Sequence, residues 1–243
     1  MGGLCKMKIS KMKSKFVEKL PDVKISLLGL KGSRALGIPE SADCDYDYMG
    51  FYVADNSQVF SIFNKPKEQF EYNDKELDYV IYEVEKFLRL ATSCNPSILE
   101  MLYLTSYNHL DNIGKTVLSN RNLFLSEKAV RNAFGGYVLS QILYLKRNHK
   151  FKHRQSIEKH IRHCFRLFDQ GQELLETGKI TIKLKDPQKY FDLAKDSTNI
   201  EKMFRLFEDR DKEFRACKSI LPDKSDKYWI DQLLIKIRSN KIV

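Results

Sequence analysis

The chain has 243 residues, 42% hydrophobic and 12% aromatic, enough to bury a core in one large or two modest domains. Lys and Arg number 42 against 32 Asp and Glu, a formal net charge of +10 that favours polyanionic partners, nucleic acid first among them. Five scattered cysteines without a CxxC pair argue against a disulfide scaffold, and no apolar run approaches the roughly 20 residues of a membrane span, so a reduced, cytoplasmic protein with no membrane partner is expected.

Residues 1–15 read as a basic tail. Val23–Gly29 (VKISLLG) predicts a strand, apolar and β-branched, ending at a glycine. Asp45–Val53 (DYDYMGFYV) alternates, with Asp45, Asp47, Met49, Phe51 and Val53 on one face. A polar loop or ragged hairpin follows, and then a third strand, Leu77–Val84. From Glu83 the period becomes helical through Val84, Phe87, Leu88, Ala91 and Cys94. Asn95-Pro96 interrupts that helix, and Ser97 with Glu100 suggests a capping box for the next. The remainder reads as helices: Ser126–Asn148, weakened at Gly135-Gly136; Ser156–Thr177, stopped by Gly178; one capped by Thr198 and Glu201; and a last one after Pro222 carrying Trp229. KITIKL between them is a short strand or an extended link. The fold class is α+β, a small mixed sheet flanked by helices over 16–108, then a mainly helical domain over 109–243.

The acids carry the chemistry. Residues i and i+2 of a strand lean to the same side, so Asp45 and Asp47 can approach one point. Carboxylate oxygens suit Mg²⁺, and two such ions roughly 3.5–4 Å apart can hold both the attacking and the leaving oxygen of a phosphoryl transfer. A third carboxylate from a neighbouring strand completes such a site. Asp78, opening DYVIY, is the first candidate and Glu83 the second, although Glu83 also fits a first-turn acid of the following helix. The competing reading is a surface hairpin with solvated aspartates. Against it, YMGFYV reads as a core strand, which places its acidic end where a core meets solvent. Ahead of it, Gly32 lets the backbone approach a ligand closely and Ser33 adds a hydroxyl. If SRALG opens a helix, its free N–H groups favour an anion.

This combination resembles the nucleotidyltransferase superfamily of DNA polymerase β, and more finely the polymerase-β-like nucleotidyltransferases associated with RNA ligase and RNA repair. The resemblance rests on the Gly-Ser-Arg turn, on DYDYMGFYV, on DYVIYEVEKFLRLATSCNPSILEMLY and on KHIRHCFRLFDQGQELLETGKITI. It implies a polymerase-β-type catalytic domain and a nucleotide-binding turn at Gly32, Ser33 and Arg34. It implies Asp45, Asp47 and Asp78 as catalytic metal ligands for two Mg²⁺ or Mn²⁺ ions, and Lys159, His163 and Arg166 as groups reaching the triphosphate. One departure stands out: the family has Ser before the first acid, and here Cys44 stands there with Asp43 ahead of it, so a pairing of Asp43 with Asp45 remains open.

Lys146–Arg166 holds eight Lys or Arg and four of the five histidines. A phosphate-binding face, a solvated basic face and a zinc site at the histidine pairs 149/153 and 160/163 are the alternatives. The expected activity is metal-dependent transfer of NMP from an NTP to the hydroxyl of an RNA end such as a tRNA. A small-molecule or protein acceptor, or an idle RNA-binding module, are the other readings.

Overall fold

The computed structural model describes residues 23–38, 46–74, 77–148, 153–196 and 200–242. The expected basic tail, Asp43, Cys44, Asp45, His149 and Thr198 lie outside the described residues.

Five strands form one mixed sheet: β1 (Lys24–Leu30), β2 (Tyr46–Val53), β3 (Gln69–Asn73), β4 (Leu77–Glu83) and β5 (His109–Leu110). The order is β3-β4-β2-β1-β5, with β2 parallel to β4 and the other pairs antiparallel. The alternation in β2 divides its side chains between two clusters. Met49 and Phe51 face the main core, where Phe51 meets Phe87 at 4.8 Å between ring centroids. Tyr52 faces a smaller cluster with Leu28, Leu77, Tyr79 and Ile81. Gly50 lets β1 close in, since a Cβ there would fall 2.0 Å from the Leu27 carbonyl oxygen.

Between β1 and β2 lies the short helix α1 (Gly32–Leu36), and a turn of helix, α2 (Asn56–Val59), leaves β2. After the sheet come α3 (Val84–Thr92), α4 (Pro96–Leu102), α5 (Asn112–Ser119), α6 (Glu127–Val130), a π-helical segment (Arg131–Gly135), α7 (Gly136–Asn148), α8 (Arg154–Thr177), α9 (Gln188–Asp196), α10 (Ile200–Ala216) and α11 (Lys227–Arg238). The weakness expected at Gly135-Gly136 is this π segment, whose Arg131 donates to the carbonyls of Phe214 and Cys217, both at 2.7 Å. Gly178, at φ +69°, ends α8 as expected. KITIKL forms no strand and runs as an irregular link.

One reading is corrected. The capping box of Ser97 and Glu100 does not form. Asn95 caps α4, accepting from Ser97 N at 3.0 Å and Ile98 N at 3.3 Å, and Pro96, which has no N–H to satisfy, takes the first helical position. The expected boundary at 108 falls just ahead of β5, which pairs with β1 through Leu27–Leu110 and Leu28–His109. The main core is continuous across that point, from Leu27 and Phe51 through Phe134 and Phe168 to Ile237. Cys94 and Cys164 lie within it, and burial pushes their thiols up to about 11 and about 12. Among the described residues no helix is long and apolar enough to cross a membrane.

At the far end of β4 the chain closes on itself. Glu83 caps α3 by accepting from Glu85 N at 2.8 Å, and pairs with Arg238 of α11 at 2.8 Å, with side-chain exposures of 6% and 12%. Removing one partner of such a buried pair strands the other charge. Arg238→Ala is expected to cost about 3 kcal/mol, read as a lowered urea midpoint at unchanged slope.

Candidate active site

The parallel register of β2 and β4 sets Asp47 opposite Asp78, on adjacent strands about 4.8 Å apart. Paired positions share a face, so both carboxylates stand on the side of the sheet that carries Met49 and Phe51. Asp78 accepts from Asn73 Nδ2 at 3.2 Å, across the β3–β4 register.

The turn after β1 packs against this pair. Lys31 N donates to the Asp47 carbonyl at 2.8 Å. Gly32 follows at φ +71°, and a Cβ there would lie 2.0 Å from Asp47 Oδ2. Both the left-handed backbone and the bare Cα are therefore needed to seat the Asp47 carboxylate. Ser33 occupies the first turn of α1, and the Arg34 guanidinium lies 3.9 Å over the Tyr46 ring, which holds it beside the acidic strand.

Asp45, and Asp43 as the alternative to Asp47 in its pair, lie outside the described residues, and among the described residues no group of three or more His, Cys, Asp or Glu could hold a metal ion. Asp47 and Asp78 supply hard oxygen donors that fit Mg²⁺ or Mn²⁺. Glu83, the second candidate for the third carboxylate, is excluded by position. It sits five residues along β4 from Asp78, roughly 16 Å away, with its oxygens engaged by Glu85, Ala54 and Arg238.

Helix α8 brings the basic positions. Lys159 is exposed. His163 is near enough to the turn for the Lys31 charge to act on it. Burial first, then the positive charges of Arg166, His160, Lys159 and Lys31, push the His163 imidazole from 6.5 down to about 3. Arg166 is buried at 6% exposure. Its guanidinium pairs with Glu100 of α4, donates to Gln170 Oε1 at 2.8 Å and lies 2.7 Å from His163 Nδ1. The structure thus brings Gly32, Ser33, Arg34, Asp47 and Asp78 to one end of the sheet with His163 nearby, and turns Arg166 inward.

Glu100, Lys31 and Tyr137 escaped the sequence reading. Arg166 follows Phe165 in the buried part of α8, and a buried guanidinium requires a carboxylate, but the sequence does not say which acid supplies it. Tyr137, edge-on to His163 at 5.2 Å, carried no such mark.

A sequence model described as the RNA repair pathway DNA polymerase beta family matches residues 7–214. No curated protein matches the chain.

Gly32→Ala strains a left-handed position and displaces the Asp47 carboxylate, so a stability loss of about 1–2 kcal/mol is expected in urea denaturation. His163 gives a pH dependence. As pH falls through about 6.5 the unfolded chain takes up a proton that the folded one refuses until about 3. Its contribution is complete above that window and is lost on acidification, by up to about 1.4 kcal/mol per pH unit. Stability curves of His163→Gln are expected to fall less steeply than wild type between about pH 6.5 and about pH 4.

Proposed function

Because the chain belongs to the RNA repair pathway DNA polymerase beta family, we propose that it transfers a nucleoside monophosphate from an NTP to the hydroxyl at an RNA end, such as that of a tRNA. The observation that carries this reading is the juxtaposition of Asp47 and Asp78 against the open Cα of Gly32.

Asp47 and Asp78, joined by Asp45 two positions along the chain, would hold two Mg²⁺ or Mn²⁺ ions. Bound there, the ions would neutralise triphosphate charge and lower the pKa of the acceptor hydroxyl. The chain's own residues do the rest. Gly32 seats the Asp47 carboxylate and so holds the turn beside the acids, where the Ser33 hydroxyl donates to a phosphate oxygen. Lys159, with Lys31 beside the turn, offsets the charge of the departing pyrophosphate, and Arg34 steadies the entrance from its seat on Tyr46. Asp78, steadied by Asn73, takes the proton of the attacking hydroxyl on a carboxylate oxygen. Most of the rate comes from positioning and charge stabilisation.

The acceptor is read from the family's tie to RNA repair and from the net charge of +10. The sheet unit supplies the acids in this reading, and the helices supply nucleotide and RNA contacts. If single-stranded RNA makes about five phosphate contacts, log K falls with log salt at a slope of about −3.5.

The test is incubation of the purified chain with each labelled NTP, Mg²⁺ and mixed RNA. Label is expected in RNA, and Asp47→Ala or Asp78→Ala is expected to cut transfer by about a thousandfold or more without unfolding the protein. Label on protein or on a small metabolite would reassign the acceptor, and absence of transfer to any acceptor would overturn the reading.

A further inference from the structure

Arg166 lies at the crossing of α4 and α8. Its Nη1 pairs with the Glu100 carboxylate and reaches Gln170 Oε1 at 2.8 Å, and its Nη2 stands 2.7 Å from His163 Nδ1. The Arg166 and Glu100 side chains are 8% and 12% exposed, so water competes little for these bonds. A guanidinium offers only N–H donors and stays charged. The atom facing it at hydrogen-bond distance must therefore accept. His163 Nδ1 carries its lone pair toward Arg166, and the proton of the neutral ring sits on Nε2, on the opposite edge.

The surroundings hold that arrangement. Tyr137 of α7 meets the His163 ring at 84° and 5.2 Å, which resists rotation. The charged and titratable groups facing the ring are Arg166, His160 and Lys159 on α8, Lys31 on the turn, Tyr137 on α7, and Glu100 of α4 through Arg166. Glu100 is the acid among them, and it is engaged with Arg166. A second proton on His163 would meet positive charge from two elements.

We propose that Glu100 and Arg166 are positioning residues that lock His163 in one neutral tautomer, so that its Nε2–H is a fixed donor to the triphosphate of a bound NTP. The proposal rests on the nucleotidyl-transfer reading for its ligand. It gives Arg166 a different task from the one implied by resemblance: Arg166 serves the triphosphate through His163 and does not touch it. A neutral donor also suits a leaving group. It orients a phosphate oxygen with less charge attraction than a lysine, so it retains departing pyrophosphate less strongly.

The test reads the imidazole directly, by nitrogen NMR of the full chain labelled at histidine, with His163→Gln to assign the signals. His163 is expected to show a protonated Nε2 and a bare Nδ1, unchanged from about pH 8 to about pH 5. Adding ATP with Mg²⁺ is expected to shift the Nε2–H signal. Arg166→Lys is expected to let the tautomers exchange and to weaken ATP binding roughly tenfold at unchanged helix content. If that variant does not fold, Glu100→Gln, which keeps the shape of the side chain, is expected to give the same pair of changes. His163→Ala removes the donor itself, so this variant is expected to weaken ATP binding roughly tenfold and to make Arg166→Lys nearly silent on top of it. Exchanging tautomers in the wild-type protein, titration near 6.5, or an Nε2–H signal unmoved by ATP would each overturn the proposal. Failure of nucleotidyl transfer itself would show separately, in the labelled-NTP assay.

Discussion

The parallel register between β2 and β4 is the constraint on which the site depends. It aligns Met49 with Val80, Gly50 with Ile81 and Phe51 with Tyr82, and by continuation it sets Asp47 against Asp78. Two carboxylates roughly 4–5 Å apart repel by about 1–4 kcal/mol, depending on how much water screens them. Burying a single large apolar side chain contributes about 1.5–3 kcal/mol, and Met49, Phe51, Leu77 and Ile81 are all at 2% exposure or less. Packing therefore outweighs repulsion. A slip of one residue would relieve the acids only by turning every core side chain of the strand to the wrong face. The fold imposes the proximity of the acids, so in the proposed function a cation would meet ligands already brought together.

The helices return to that end of the sheet through a second buried charge. Arg166 lies among Cys164, Phe165, Leu167 and Phe168 in the buried part of α8, where an unpaired guanidinium would be costly. Its counter-ion, Glu100, is placed by α4, whose start is set by the Asn95 cap and by Pro96. Local capping chemistry thus determines where a carboxylate meets a helix 66 residues further along the chain. The continuous core makes the same point on a larger scale. Sheet and helices do not pack as two bodies with separate interiors, so a site using groups from both is held by one interior.

Elements with a strong period were legible in the sequence: the alternation of β2, the apolar stripe and glycine stop of α8, and the last helix around Trp229. What escaped depended on partners distant in sequence. β5 is two residues long and exists because Leu27 and Leu28 offer it an edge, so no periodicity could announce it. α5 packs there because Gly114 lets it approach the Ser26 carbonyl, where a Cβ would sit 2.4 Å away. At the site, the placing of Asp47 and Asp78 on strands was readable because alternation along each strand marks it. The inward turn of Arg166 was not, because a helical wheel does not say which of several cations finds a carboxylate. Glu100 was read as a local cap for the same reason: Ser97 was close in sequence and Arg166 was not.

The two acids of β4 show where residue type stops being informative. Asp78 and Glu83 stand on one strand, each at an end, and by sequence either could ligate a metal. A carboxylate has about four lone-pair sites. At Glu83 one oxygen accepts from Ala54 N and Arg238, the other from Glu85 N, at 6% side-chain exposure. Both oxygens are thus engaged, one of them by a cation that balances the charge. At Asp78 the partner among the described residues is the neutral amide of Asn73, at 3.2 Å on one oxygen, and the residue is half-buried beside a second acid. The two ends of the strand thus differ: Glu83 is tied to a cation and two backbone amides, while Asp78 stands opposite Asp47 with a neutral amide on one oxygen. That difference, set by Arg238 at one end and by the glycine turn at the other, makes Glu83 a structural carboxylate and is why the proposed chemistry rests on Asp78.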